Sequence, residues 1–368
     1  MLLFFEFLLY RLIIYFRIYN GKNGVTLLKF DGLGDLAIML NALNRFNVPN
    51  SFRPLILVTK TEFVEVAKIY GNFDDVIGVE EKKFQKNIKY RFLIYKKVRN
   101  TFPQSIINPV YSNIVTSFSD LIVAAVAPPN RIIGPTYISK SFYGKIIRKI
   151  KQSVYNNFIN INETSLHELN HNIKLFLTLG FQLSLSNQVT SSTKNQQLKV
   201  NTNVSKLVLI SPGSNNPIKN WELRNFINLA IELYKLGYIV KFIGTKSDLQ
   251  DLIIPPKLKD KIEICTNLFK LTDLFILISK SDLVISNDSS ASHIAEFFNV
   301  GYTVISWGVF KGRYFPYPDS SNLSKVIFSS QCLNCIDFCK DSELNAKCLR
   351  SISVTEVLFQ VNILLNKR

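Results

Sequence analysis

Asp31-Gly32-Leu33-Gly34-Asp35 places two carboxylates and two glycines within five residues, directly after the apolar run GVTLLKF. Glycines at such a turn let the backbone approach a ligand, and a helix starting there offers unpaired N–H groups. Asp35 is a candidate general base, able to take a proton from an attacking hydroxyl. Its more ordinary role would be to cap the helix that follows. The turn falls short of a dinucleotide fingerprint, because the third glycine would stand at the position of Ala37.

Two later stretches have the same character. SPGSNNPIKNW, residues 211–221, contains Ser211 and Gly213, which leave backbone groups exposed, and Lys219, a mobile charge suited to phosphate. Trp221 is expected to pack rather than bind. SNDSSASH, residues 286–293, puts Ser289 and Ser290 at a helix start, where they cap it and present N–H donors with partial positive charge. Such an arrangement holds a pyrophosphate without metal. His293, one turn in, can donate to a phosphate or lie against a sugar, although a lone histidine is more often structural. Asp288 beside a diphosphate is expected to orient the loop or bond a hydroxyl.

Four of the five cysteines, Cys332, Cys335, Cys339 and Cys348, cluster near the C-terminus. Cys332-x-x-Cys335 has zinc-ligand spacing, but the next intervals of three and eight residues are irregular. Thiols, or a disulfide formed on oxidation, are the default. One tight cluster in a cysteine-poor chain is not a secreted disulfide framework and suits a reducing, cytoplasmic setting.

The elements that must carry these residues alternate. GVTLLKF reads as a strand, LAIMLNALNRF as a helix, PLILVTK as a strand and TEFVEVAKIY as a helix. FDDVIGV and RFLIYKKV read as further strands, and DLIVAAVAPPNRIIG as helix, turn and strand. After polar residues 182–204 the pattern restarts. KLVLIS is a strand, WELRNFINLAIELYKLG a helix ending at Gly237, and YIVKFIG a strand. DLVISN, SSASHIAEFF and YTVISWG follow as strand, helix and strand, and SVTEVLFQVNILL closes the chain as a helix. The expected class is α/β, with two Rossmann-like domains facing a central cleft. The expected divisions are an apolar N-terminal helix at 1–23, domains at 24–185 and 205–368, and a linker at 186–204.

At 368 residues, 47% hydrophobic and 19% charged, the chain is long enough for two cores and too apolar for disorder. A net charge of +17 suits an anionic partner, although Lys-, Asn- and Ile-rich usage is an equal explanation. MLLFFEFLLYRLIIYFRI is apolar but interrupted by Glu6, Arg11 and Arg17, which disfavours a bilayer span. It reads as a helix lying in a membrane interface, against the alternative of packing on the protein's own surface.

The order of these motifs resembles the bacterial heptosyltransferases of glycosyltransferase family 9. The residues that carry the likeness are Lys29 followed by Gly34-Asp35, Pro212-Gly213, Lys219-Asn220-Trp221, and Asp288-Ser289-Ser290-Ala291-Ser292-His293-Ile294-Ala295. Ser290 stands where the family motif usually has glycine, and Ala291 where proline is common. The resemblance implies GT-B architecture and metal-independent inverting transfer without a cofactor. It implies Asp35 as base, with Lys29 and Gly34 on the acceptor side. Lys219, Ser211, Gly213, Asp288, Ser289, Ser290 and His293 would line the donor site. The implied partners are an ADP-heptose-like nucleoside-diphosphate sugar and a glycolipid or glycan acceptor at the inner face of the plasma membrane, with no nucleic acid. Two other classes compete. One is a non-catalytic membrane-surface or nucleic-acid-binding protein, whose charge comes from EKKFQKNIKYRF and KSFYGKIIRKIKQ. The other is a Rossmann oxidoreductase using NAD.

Overall fold

The computed structural model describes residues 24–101, 103–109, 118–126, 131–135, 155–159, 167–184, 206–266, 270–308, 311–318, 323–329 and 347–366. The expected N-terminal helix, the linker, KSFYGKIIRKIKQ, Cys332, Cys335 and Cys339 lie outside the described residues. No described helix is long and apolar enough to cross a membrane. The chain divides into two compact units, Met1–Thr164 with Asn170–Val189, and Ser165–Leu169 with Thr190–Arg368.

The first unit is built on β1 (Val25–Lys29), whose five residues are all buried. Burial of every residue is the mark of a strand covered on both faces, and Val25, Leu27 and Leu28 supply its apolar part. The short β2 (Phe46–Asn47) is followed by β3 (Leu55–Lys60), β4 (Asp75–Val79), β5 (Ser105–Ile107), β6 (Arg131–Pro135) and β7 (Asn157–Ile159). These form a parallel sheet of order β4-β3-β1-β5-β6-β7, while β2 pairs antiparallel with β8 (Gln182–Leu183). β1 lies between β3 and β5, where the winding reverses, and in open α/β sheets ligands bind at the carboxyl end of such a strand.

The second unit repeats the plan with β9 (Leu207–Ser211), β10 (Ile239–Ile243), β11 (Ile262–Cys265), β12 (Leu283–Asn287), β13 (Gly301–Ser306) and β14 (Ser324–Phe328). Their order is β11-β10-β9-β12-β13-β14, all parallel, so β9 and β12 flank the second switch point. The Leu223–Lys235 helix buries Phe226, Leu229, Ala230 and Leu233 in the same cluster as Val357, Val361, Leu364 and Leu365 of the closing Val354–Asn366 helix. Gly237 has φ +89°, the left-handed geometry expected just past that helix.

One expectation is corrected. RFLIYKKV is not a strand but part of a helix, Ile88–Arg99, whose start is capped by Asn87 Oδ1 accepting the Tyr90 N–H at 3.1 Å. Arg91, Ile94, Tyr95 and Val98 are its buried residues, at helical rather than alternating spacing. A short apolar run with β-branched and aromatic residues looks like a strand until that periodicity is followed upstream to the cap.

Candidate functional site

In the first unit, Lys29 ends β1 almost wholly buried, with its Nζ 2.9 Å from Asp31 Oδ2. Thr59 on β3 donates its hydroxyl to the Lys29 carbonyl at 2.6 Å. Gly32 is the N-cap of the Leu33–Leu43 helix, and Gly34 and Asp35 lie in its first turn. Asp35 Oδ2 accepts the Gly32 N–H at 3.0 Å, so this carboxylate does cap the helix. The bond fixes the side chain at the carboxyl edge of the switch point, half exposed. Capping and proton acceptance are compatible roles for one carboxylate.

In the second unit, the loops after β9 and β12 are tied together by one fully buried side chain, Asn287. Its Oδ1 accepts the Trp221 N–H at 2.9 Å, and its Nδ2 donates to the Pro212 carbonyl at 2.5 Å and to Asn220 Oδ1 at 3.4 Å. Ser214 donates from its hydroxyl to Asn220 Oδ1 at 2.6 Å, closing the loop on itself. Trp221 is buried as expected, with its indole N–H on the Ile352 carbonyl at 2.9 Å. At Gly213 a Cβ would sit 2.3 Å from Asp248 Cγ, so only glycine lets the loop lie against the Thr245–Asp248 capping box. Ser211 ends β9 half-buried, one residue before this network.

Asp288 is buried at the end of β12, and Ser289 is the N-cap of the Ser290–Phe297 helix. The expected side-chain cap is not formed there. The Ser289 hydroxyl is buried and makes no hydrogen bond among the described residues. Ser290 opens the helix beside it, half exposed, and a first helical turn carries N–H groups with no partner inside the helix. An anion would supply both needs. Lys219 closes the short Pro217–Lys219 turn, with its Nζ 5.5 Å from the centre of the Trp307 ring.

His293 is buried, stacked on Phe315 at 4.5 Å and 9°, with Nδ1 2.9 Å from the Tyr317 hydroxyl. Burial, with smaller contributions from the charges of His167 and Lys219, pushes its pKa down to about 3. The imidazole is therefore neutral near pH 7 and has a single N–H to give. When the Tyr317 hydroxyl donates to Nδ1 that N–H is on Nε2, and when Nδ1 donates to the hydroxyl it is spent there. His167 lies behind Tyr317, with ring centres 4.5 Å apart. His167 donates from Nε2 to the Tyr314 carbonyl at 2.6 Å, while its Nδ1 accepts the Leu169 N–H at 3.0 Å. Both its nitrogens are thereby used.

Asn287, Asp248, Tyr317, His167 and Trp307 are the residues that sequence reasoning did not single out. Asn287 had a signal, lying inside the SNDSSASH stretch. The others come from separate loops and carried none.

No group of three or more His, Cys, Asp or Glu able to hold a metal occurs among the described residues. Cys265 is free and half-buried. Cys348 is buried and disulfide-bonded, which removes it from a four-thiolate zinc set.

Solved structures share this plan. The E. coli ADP-heptose lipopolysaccharide heptosyltransferase II is similar at TM-score 0.65 and 17% identity, over 94% of this chain and 99% of that one. The family 9 glycosyl transferase from Veillonella parvula gives 0.64 and 16%, over 94% and 98%. The iron-containing dodecameric glycosyltransferase TibC of enterotoxigenic E. coli gives 0.53 and 14%, over 95% and 78%. No curated protein matches in sequence. The fold that these structures share with the chain is the GT-B architecture. Residues 143–300 match the model for glycosyltransferase family 9 (heptosyltransferase). The resemblance read from the motifs is borne out over those residues, which contain Pro212-Gly213, Lys219-Asn220-Trp221 and the stretch from Asp288 to Ala295.

Proposed function

We propose that this protein is a metal-independent, inverting transferase that moves a heptose or related sugar from an ADP-linked donor to a hydroxyl of a lipopolysaccharide-core or other cell-surface glycan, at the inner face of the plasma membrane. The observation that carries the donor side is the buried Ser289 hydroxyl, without a hydrogen bond among the described residues, at the start of the Ser290–Phe297 helix. The name of the similar E. coli heptosyltransferase II, which specifies ADP-heptose, supports the choice of donor.

In this reading Asp35 takes the proton of the acceptor hydroxyl as its oxygen bonds to the anomeric carbon. The bond from that carbon to the diphosphate breaks on the opposite face, and the nucleoside diphosphate departs with the electron pair. Lys219, the N–H groups at the start of the Ser290–Phe297 helix and the Ser289 hydroxyl receive the growing charge. Neutral His293 donates one hydrogen bond to a phosphate or sugar oxygen. Buried Lys29, paired with the half-buried Asp31, holds the end of β1, which supports Asp35.

The test is thermal shift against ADP-, GDP-, UDP- and CDP-linked sugars with a chelator present. A ligand at a hundred times its dissociation constant adds about 2.7 kcal/mol. A selective shift with the ADP sugar is expected. A shift with NAD instead would point to an oxidoreductase, and no shift at millimolar ligand would point to a non-catalytic scaffold.

A second reading concerns only the tail. TibC is iron-containing, and Cys332, Cys335, Cys339 and Cys348 are a soft donor set in the same fold. As a disulfide, Cys348 does not fit such a site. The set fits a structural metal only when reduced, and no step of transfer runs through it. Elemental analysis of protein purified under reductant separates the two, since one equivalent of retained metal excludes the disulfide form.

A further inference from the structure

We propose that the exposed face of the Ile88–Arg99 helix is the surface by which this chain docks on an anionic lipid bilayer. The proposal deepens the membrane association suggested above and makes no use of the transfer reaction.

The helix buries Arg91, Ile94, Tyr95 and Val98, and leaves Ile88, Phe92 and Leu93 about half exposed, at 49%, 52% and 48%. At 100° per residue the exposed side reads Ile88, Phe92, Lys96, Lys89, Leu93, Lys97, with lysines interleaved among apolar side chains. Lys82 and Lys86 on the preceding Glu81–Lys86 helix are exposed as well. Residues 82–99 contain six lysines, two arginines and no Asp or Glu. The acids just before them are engaged, Glu80 with Lys83 at 2.8 Å and Glu81 with Lys60 at 3.4 Å.

The patch is held rigidly. Buried Arg91 donates from Nη1 to the carbonyls of Phe84 at 2.8 Å and Gln85 at 3.1 Å, binding the two helices together. Tyr90 accepts the Glu80 N–H on its hydroxyl at 2.9 Å. A fixed set of cations around protruding apolar side chains suits the bilayer interface, with lysines at the headgroups and Phe92 and Leu93 below them. Nucleic acid is the poorer fit, because base stacking needs a row of presented aromatic faces, and this face presents Phe92 alone. β4 ends at the carboxyl edge of its sheet and this helix follows it, so the patch begins at the edge that bears Asp31 and Asp35. A lipid-linked acceptor would meet the protein there.

The experiment is co-sedimentation of the full chain with sucrose-loaded vesicles of phosphatidylcholine, with or without roughly one-third phosphatidylglycerol. Two variants are compared with the wild type, the triple Lys89→Gln/Lys96→Gln/Lys97→Gln and the double Phe92→Ser/Leu93→Ser. The wild type should partition to anionic vesicles only. The triple variant should lose on the order of a hundredfold, about fivefold per cation, and the double variant at least about tenfold. All five side chains are exposed, so unfolding midpoints and the ADP-sugar thermal shift should stay at wild-type values. Unchanged partitioning of both variants would overturn the proposal. So would loss of single-stranded oligonucleotide binding, or of a dimer seen by light scattering, while vesicle binding persists. Because donor binding is read separately, failure of this surface and failure of the transferase reading remain distinguishable.

Discussion

Asn287 and Trp221 are joined by a 2.9 Å hydrogen bond from the Trp221 main-chain N–H to the Asn287 side chain, across 66 residues of sequence. Through that bond and the one to Pro212, a single amide sets both ends of the loop that carries Lys219. Asn287→Asp should therefore be worse than Asn287→Ala. The carboxylate would set an acceptor against the Pro212 carbonyl, whereas alanine only removes the bonds. Leaving the buried partners unsatisfied costs about 1–3 kcal/mol. The unfolding midpoint and the ADP-sugar dissociation constant, measured for both variants, should rank wild type, Ala, Asp.

Asp35→Asn should separate the two roles of this side chain. The amide oxygen can still accept the Gly32 N–H, so the unfolding midpoint should stay close to wild type. Turnover should fall by roughly 10²–10⁴ with the loss of the base, at nearly unchanged donor affinity. Asp35→Ala should lose the same activity and in addition about 1 kcal/mol of stability. Turnover retained in Asp35→Asn would remove Asp35 from the mechanism.

His293 should make stability fall with acid. Its pKa is lowered from 6.5 to about 3, so below pH 6.5 the unfolded chain binds a proton that the native state does not. Stability from this group is full above pH 6.5 and is lost as pH falls, at up to about 1.4 kcal/mol per pH unit until roughly pH 3. Wild type and His293→Gln, followed by unfolding between pH 7 and 4, should differ by a slope of that sign. Parallel curves would mean that His293 is not held neutral by burial.

Lys219→Met should reduce kcat more than it weakens donor binding, because its charge matters most as the diphosphate leaves. Loss of one such group costs about 10²–10³ in rate. Lys219→Arg should restore less than half of the effect on the logarithmic scale. A planar fork does not reproduce a point charge held 5.5 Å from the Trp307 ring. Single-turnover rates and equilibrium titrations on the same preparations separate the two quantities.

Strands such as Val25–Lys29 and Leu283–Asn287 were legible because central parallel strands open on short apolar runs, and glycine or serine marks where each gives way to a helix. The Ile88–Arg99 helix was not, since eight residues of it taken alone carry a strand's composition. Trp221 was read as packing, and it packs. The capping bond of Ser289 was expected and is not made, leaving its buried hydroxyl without a hydrogen bond among the described residues.

Local pattern alone was enough for the two α/β halves, the three strand-to-helix junctions and the residue types placed in them, because apolar periodicity and turn chemistry act over a few residues. Which junctions stand side by side was a matter of sheet order. β9 and β12 become neighbours through crossovers of some seventy residues, and only that pairing brings Asn287 to Pro212 and Trp221. The neutral state of His293 likewise came from the tertiary structure. A histidine's pKa is set by what buries it, and Phe315 and Tyr317 arrive from a loop beyond the next strand.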